Sequence, residues 1–114
     1  MSYTTPFLQN GATQLLTAAT SPPTAQQVLP TFNATPGPRN QFRVVNAGAV
    51  VAFLGAGPTA ALAATNSAVV STTGNAIPLQ PGAIEVFSFP STWFFTASTA
   101  SSTATIYITP GEGL

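Results

Sequence analysis

The strongest structural signal in this chain is the run Thr103-Ala104-Thr105-Ile106-Tyr107-Ile108-Thr109. Successive side chains of a β-strand point to opposite faces of its sheet. The run therefore predicts a half-buried strand, with Ala104, Ile106 and Ile108 on its inner face. Tyr107 falls on the outer face among the threonines, which makes it a candidate partner-binding residue.

The chain just upstream predicts two more strands, at residues 84–89 and 92–97, joined by a tight connection at Pro90-Ser91. Aromatic side chains occupy both faces of this pair. One face must then pack inward, while the other needs cover from a second layer or from another subunit. Trp93 and Phe94 are therefore candidate contacts to a partner, although packing among neighbouring phenylalanines also explains Trp93.

Further outward, strands are expected at residues 41–46 and 49–54, linked as a hairpin through Asn46-Ala47-Gly48. Weaker strand patterns cover residues 12–18, 26–29, 68–72 and 76–79, whereas Gly55-Ala56-Gly57-Pro58 predicts a turn. Eleven prolines and the lack of helical spacing argue against helices. About eight short strands favour an all-β fold, an antiparallel β-sandwich or barrel.

The length of 114 residues is typical of a single domain. The Pro-rich segment 30–40 in the N-terminal third predicts an irregular loop, and residues 1–11 are expected to be extended or loop. Residues 47–64 are uncharged and almost wholly apolar, about the length needed to cross a bilayer. Because three glycines and Pro58 interrupt this stretch, we expect no membrane span.

Charge is almost missing, since only Arg39, Arg43, Glu85 and Glu112 carry it and the net charge is zero. Globular domains use about a quarter of their residues for charge, and proteins near zero net charge tend to associate. We therefore expect a homo-oligomer or another protein partner, with the four charged residues as candidate contacts. Each arginine is either a surface cation or one half of an ion pair that fixes orientation.

The same composition argues against other classes of function. Two arginines cannot form the basic face that nucleic acid requires. Without His or Lys, a catalytic base would have to be Glu85 or Glu112, and both are better explained as solvated or paired carboxylates. Without His, Cys or Asp, no dedicated metal site is expected. We predict no enzyme activity and no cofactor.

Several segments resemble small virion structural proteins of tailed bacteriophages. The similarity extends from about residue 41 to the end of the chain, and its most specific element is the ending Thr109-Pro110-Gly111-Glu112-Gly113. The other segments, in the same order as in those proteins, are Arg43-Val44-Val45-Asn46-Ala47-Gly48, Val51-Ala52-Phe53-Leu54-Gly55 and Ile77-Pro78-Leu79-Gln80-Pro81-Gly82-Ala83-Ile84-Glu85-Val86-Phe87.

The resemblance implies a jelly-roll-like β-sandwich that decorates or cements a capsid. Such a protein is made in the host cytoplasm, binds the major capsid protein on the outer surface of the virion, and does so as a dimer or trimer. Two alternatives remain open. One is a tail, fibre or baseplate component; the other is a carbohydrate-binding or adhesion module in which Tyr3, Trp93 and Tyr107 stack on sugars.

Overall fold

The computed structural model describes residues 7–33 and 35–113, which form nine β-strands and one short α-helix. The elements in chain order are β1 (Leu8–Gln9), β2 (Gln14–Ala18), β3 (Gln26–Gln27), β4 (Arg39–Asn46), β5 (Ala52–Gly57), α1 (Ala60–Asn66), β6 (Ile77–Leu79), β7 (Ile84–Pro90), β8 (Phe94–Thr99) and β9 (Ala104–Glu112). The Pro-rich segment 30–40 ends inside β4, because Arg39 and Asn40 already belong to that strand.

The strands form two antiparallel sheets that pack face to face. The first sheet has the order β2-β9-β4-β7, and β1 pairs with the end of β9 beyond β2. The second sheet has the order β3-β8-β5-β6. From β2 onward each strand joins the sheet opposite its predecessor, except that β5 and β6 are neighbours. This is the strand order of a jelly roll, and the predicted all-β sandwich is confirmed.

The core lies between the inner faces of the two sheets. Ala104, Ile106 and Ile108 of β9 are buried while Tyr107 is exposed, as the alternation predicts. Phe42 and Phe95 are fully buried, and their ring centroids lie 4.7 Å apart across the two sheets. The remaining fully buried side chains of the core include Val28, Val44, Leu54 and Leu79.

The aromatic pair of strands is arranged differently from the sequence prediction. Strands β7 and β8 do not pair with each other, because β7 lies in the first sheet and β8 in the second. The short connection at residues 91–93 crosses from one sheet to the other, so the second layer that covers the rings is the opposite sheet of the same chain. Phe89 of β7 thereby contacts Phe95 of β8 at a centroid distance of 5.6 Å.

The predicted hairpin through Asn46-Ala47-Gly48 is also wrong, because β4 and β5 lie in opposite sheets. Asn46 is fully buried, and its side chain holds the crossing in place. Its Nδ2 donates to the carbonyl oxygens of Val50 and Leu79 at 3.0 and 2.9 Å, and its Oδ1 accepts from the Gly48 amide at 2.9 Å. One side chain thus joins the end of β4, the start of β5 and the strand β6.

The helix α1 was not predicted, and it replaces two sequence assignments. Gly55 and Gly57 belong to β5 and not to a turn. Because they have no side chain, α1 packs directly on the outer side of these two residues. Thr59 caps the helix, its Oγ1 accepting from the Leu62 amide at 3.1 Å. Residues 68–72, predicted as a strand, form an irregular connection after the helix.

The apolar stretch 47–64 is divided among the crossing, β5 and the first turns of α1. Within residues 7–33 and 35–113, no helix is long and apolar enough to cross a membrane.

The C-terminal strand is longer than predicted, because β9 continues through Pro110 and Gly111 to Glu112. Pro110 has no amide hydrogen to donate, yet its carbonyl accepts from the Asn10 amide at 3.0 Å. The Asn10 carbonyl oxygen receives no hydrogen bond from Pro110 in return, and it accepts from the Phe32 amide at 2.9 Å. A loop residue therefore supplies the donor that proline lacks.

Replacement of Gly55 by alanine is expected to destabilise the fold by about 1–3 kcal/mol, the usual cost of overpacking. A Cβ there would come within 3.0 Å of the backbone of Ala63 in α1 and of Ser67, which caps the C-terminal end of α1, closer than real Cβ atoms approach. Gly37→Ala is the matched control, because its Cβ would meet only the Arg39 carbonyl at 3.7 Å. Urea unfolding of both variants checks this, and equal midpoints would contradict the close packing of α1 on β5.

Replacement of Asn46 by alanine is expected to lower the free energy of unfolding by about 1–3 kcal/mol or more, because it leaves buried backbone groups without partners. Asn75→Ala should change it by less than about 0.5 kcal/mol, since Asn75 is exposed and makes one side-chain contact, to Asn66 Oδ1 at 3.2 Å. Thermal and urea unfolding give both values. A neutral Asn46→Ala would show that the crossing does not depend on this side chain.

Candidate functional site

The outer face of the first sheet carries a row of exposed apolar side chains that crosses four strands. Leu15 of β2 lies opposite Tyr107 of β9, Tyr107 lies opposite Val45 of β4, and Val45 lies opposite Ile84 of β7. Directly opposed residues in antiparallel strands point to the same face. Leu15, Tyr107 and Ile84 are exposed by 51%, 39% and 56%, and Val45 is half-buried. We call these four residues the apolar row.

The row exists because β2, β4 and β7 have apolar residues on both faces. Leu16, Val44 and Phe87 point inward, so their neighbours Leu15, Val45 and Val86 must point outward. Antiparallel strands of a sandwich normally place polar residues on the solvent side. Apolar residues at outward positions are therefore the sequence signal for this surface. Of the four residues in the apolar row, the sequence analysis identifies Tyr107 alone.

A second row runs beside the apolar row and contains one charge. Thr109 of β9 lies opposite Arg43 of β4, and Arg43 lies opposite Val86 of β7. Thr13 extends the row, because its hydroxyl oxygen lies 2.8 Å from that of Thr109. Arg43 and Val86 are both exposed. The outer face around the row is therefore apolar and hydroxyl-bearing, and the Arg43 guanidinium lies beside Tyr107 and Val45.

Arg39 and Glu112, two further predicted site residues, come together at one end of the same sheet. Both line a cavity of about 250 Å³, together with Asn40, Gln41, Ser88 and Gly113. Arg39 Nη2 donates to the Ser88 carbonyl oxygen at 3.1 Å. Asn40, which lines the cavity, forms a buried amide pair with Asn10, in which each Nδ2 donates to the other's Oδ1.

The other three predicted site residues lie apart from this face. Glu85 is exposed but stands opposite Val44, on the inner side of β7. Trp93 precedes β8 and is half-buried, with its ring stacked on that of Phe89 at a centroid distance of 5.5 Å. Phe94 belongs to the second sheet, opposite Gln27 and Gly57. The structure thus brings together Arg39, Arg43 and Tyr107 on one face, with Glu112 at its end.

A second cavity, of about 460 Å³, lies on the second sheet. Its lining is mainly apolar, and consists of Val50, Val51, Phe53, Pro78, Gln80, Ala100 and Ser101. None of these side chains is ionisable, so the lining offers no acid or base. The chemistry available at both the cavity and the apolar row is burial of apolar surface.

Compared with protein-family models, curated proteins and solved structures, the chain matches none of them.

Two adjacent leucines give a direct test of the apolar row. Leu16 is buried to 2% exposure, so Leu16→Ala should cost about 2–5 kcal/mol of stability. Leu15→Ala should cost less than about 1 kcal/mol and should reduce the fluorescence of an apolar surface dye, because its side chain lies on the exposed face. Urea unfolding and dye titration measure both effects. An equal loss of stability in the two variants would mean that the outer face is packed within the chain.

Proposed function

We propose that this chain is a non-enzymatic virion structural protein of a tailed bacteriophage, a capsid decoration or cement protein that binds the major capsid protein. The observation that carries the proposal is the apolar row on the outer face of the first sheet. Besides the row, this face carries hydroxyl groups and the two arginines of the chain, Arg39 and Arg43.

A surface of this kind suits a large and nearly flat partner. A sheet face offers no deep cleft, whereas small-molecule sites are concave and enclose most of their ligand. Large aromatic side chains near the centre of a patch contribute much of the binding energy at protein interfaces. Tyr107 has that position, because it lies between Leu15 and Val45 within the row.

The scarcity of charge fits attachment that salt does not weaken. At 1 M salt the Debye length is about 3 Å, so exposed ion pairs are screened while apolar burial is retained. Arg43 beside the row and Arg39 at one end of the same sheet then serve orientation, each binding a carboxylate or carbonyl on the partner. The choice of a capsid as the partner comes from the sequence resemblance to phage virion proteins.

The jelly-roll arrangement is compatible with more than one function, because such folds occur in capsid and in lectin domains. The carbohydrate-binding alternative depends on free aromatic faces. One face of Trp93 is already stacked on Phe89, Tyr3 lies outside the described residues, and Tyr107 lies on the outer face of a sheet, outside the residues that line either cavity. These contacts favour the protein-binding proposal. A tail, fibre or baseplate location would use the same row on a different partner.

The proposal predicts stoichiometric binding of the purified chain to preassembled, expanded capsids of the phage that encodes it, retained at 1 M NaCl. Tyr107→Lys should weaken this binding at least about tenfold, because it places a charge in the centre of the apolar row. Val69→Lys is the matched control. Val69 is 40% exposed, against 39% for Tyr107, and lies in the connection after α1 on the opposite side of the sandwich.

Co-sedimentation with capsids measures both variants. Failure of the unmodified chain to sediment with capsids would contradict the proposed partner. An equal loss of binding for Tyr107→Lys and Val69→Lys would contradict the proposed surface. Saturable binding in a glycan screen, lost on replacing Trp93, would favour the carbohydrate-binding alternative instead.

A further inference from the structure

Strand β7 is an edge of the first sheet, since β4 is its one neighbour in the sheet among the described residues. The free side of an edge strand presents unpaired backbone N–H and C=O groups, which can pair with a strand of another chain. Proteins usually block such edges with charges, proline or covering segments. Whether β7 is blocked depends on which of its residues direct their backbone groups outward.

Hydrogen bonds at both ends of the β4–β7 pair answer that question. The Asn46 amide donates to the Ala83 carbonyl at 3.0 Å, and the Ser91 amide donates to the Pro38 carbonyl at 2.9 Å. Bonded and non-bonded pairs alternate along an antiparallel ladder. Odd-numbered residues of β7 therefore bond to β4, and even-numbered ones face outward. The other side of β4 agrees, because the Ala47 amide donates to β9 through the Thr105 carbonyl at 2.9 Å.

Half of this edge is blocked and half is open. At the C-terminal end, Pro90 faces outward and has no N–H to offer. The Ser88 carbonyl, also outward, already accepts from Arg39 Nη2. At the N-terminal end, Ile84 and Val86 face outward with exposed side chains and no proline. Among the described residues, the open part of the edge is thus residues 84–87 and the Ser88 N–H, while the Ser88 carbonyl is shared with Arg39.

We propose that this edge pairs antiparallel with the same edge of a second copy, about a twofold axis at Val86. Val86 then faces Val86 of the second copy, and Ile84 faces Ser88 of the second copy on both sides of the axis. All of these residues direct their backbone groups outward, so each facing pair exchanges two hydrogen bonds. The Ser88 carbonyl has two lone pairs and keeps its bond from Arg39.

Two neighbouring registers are less favourable, which is why the axis falls on Val86. An axis at Glu85 would place two carboxylates directly opposite each other, and like charges in that position are destabilising. An axis at Phe87 would set Ile84 opposite Pro90 of the second copy, and the Ile84 carbonyl would find no donor there. With the axis at Val86, Glu85 lies opposite Phe87 of the second copy and neither penalty arises.

The pairing would join two first sheets into one continuous sheet. Facing residues share a side of the sheet, so the apolar rows of the two copies would lie on the same side. The dimer would offer its partner two identical surfaces at a fixed spacing, which raises the strength of attachment without any new contact. The inference itself depends on β7 alone and holds whatever the apolar row binds.

Single-cysteine variants test the register directly, because the chain contains no cysteine. In Val86→Cys the two Cα atoms would lie about 5.5 Å apart, within the range of a disulfide. In Ile84→Cys they would be offset by four residues, about 14 Å along the strands at roughly 3.4 Å per residue, and cannot be bridged. Under mild oxidation Val86→Cys should give covalent dimers, whereas Ile84→Cys and Glu85→Cys should not.

Ile84 is the more exposed of the two positions, at 56% against 37% for Val86, so random collisions would produce the opposite order. A stronger cross-link for Ile84→Cys or Glu85→Cys than for Val86→Cys would overturn the proposed pairing. The pairing would also be overturned if the unmodified chain sedimented as a monomer at every concentration tested.

Sedimentation equilibrium supplies a second, non-covalent measurement. Val86→Pro removes an outward N–H from each copy while leaving the β4 bonds intact, and should raise the dimer dissociation constant about tenfold or more. Val86→Thr retains the N–H and should change it by less than about threefold. Circular dichroism checks that both variants are folded. If Val86→Pro does not fold, the cross-linking pattern alone decides the test. A folded, monomeric Val86→Pro that still binds capsids would leave the proposed function intact.

Discussion

The contact between Phe42 and Phe95 across the two sheets is the interaction on which the rest of this structure depends. The two rings meet at 4.7 Å, and Phe89 joins them from β7 at 6.4 Å from Phe42 and 5.6 Å from Phe95. Because side chains alternate along a strand, pointing Phe42 inward forces Arg43 outward, and Val45 with it. Burial of the aromatic rings therefore also determines which residues form the outer surface.

Local pattern predicted the individual strands well but not which strands pair. The alternation at residues 103–109 identified the inner and outer sides of β9 correctly. A connection of a few residues can form either a hairpin within one sheet or a crossing between two sheets. The sequence around residues 46–48 and 90–91 does not distinguish these cases, and the prediction of a connection within one sheet is wrong at both places. What distinguishes the two cases is burial of Asn46 and of the aromatic rings between the sheets, which depends on residues far away in the sequence.

The candidate surface was predicted only in part for a related reason. The sequence points to Arg43 because charge is scarce in this composition, and to Tyr107 because the alternation of its strand puts it on the outer face. It does not point to Leu15, Val45 or Ile84, because an aliphatic residue in a strand is most simply assigned to the core. Only the register of four strands shows that these residues lie side by side with Tyr107 on the outer face. Glu85 and Glu112 were grouped with the arginines by charge alone, and the fold places Glu85 on the other side of β7.

The proposed function requires this nearly uncharged jelly roll to attach to its partner through the outer face of its first sheet. An electron-microscopy map of the particle that carries this chain tests this requirement most directly. The account predicts density of the partner over Leu15, Tyr107, Val45 and Ile84, with α1 on the far side of the sandwich. A map in which this face is turned to solvent, while α1 or the second sheet contacts the partner, would contradict it.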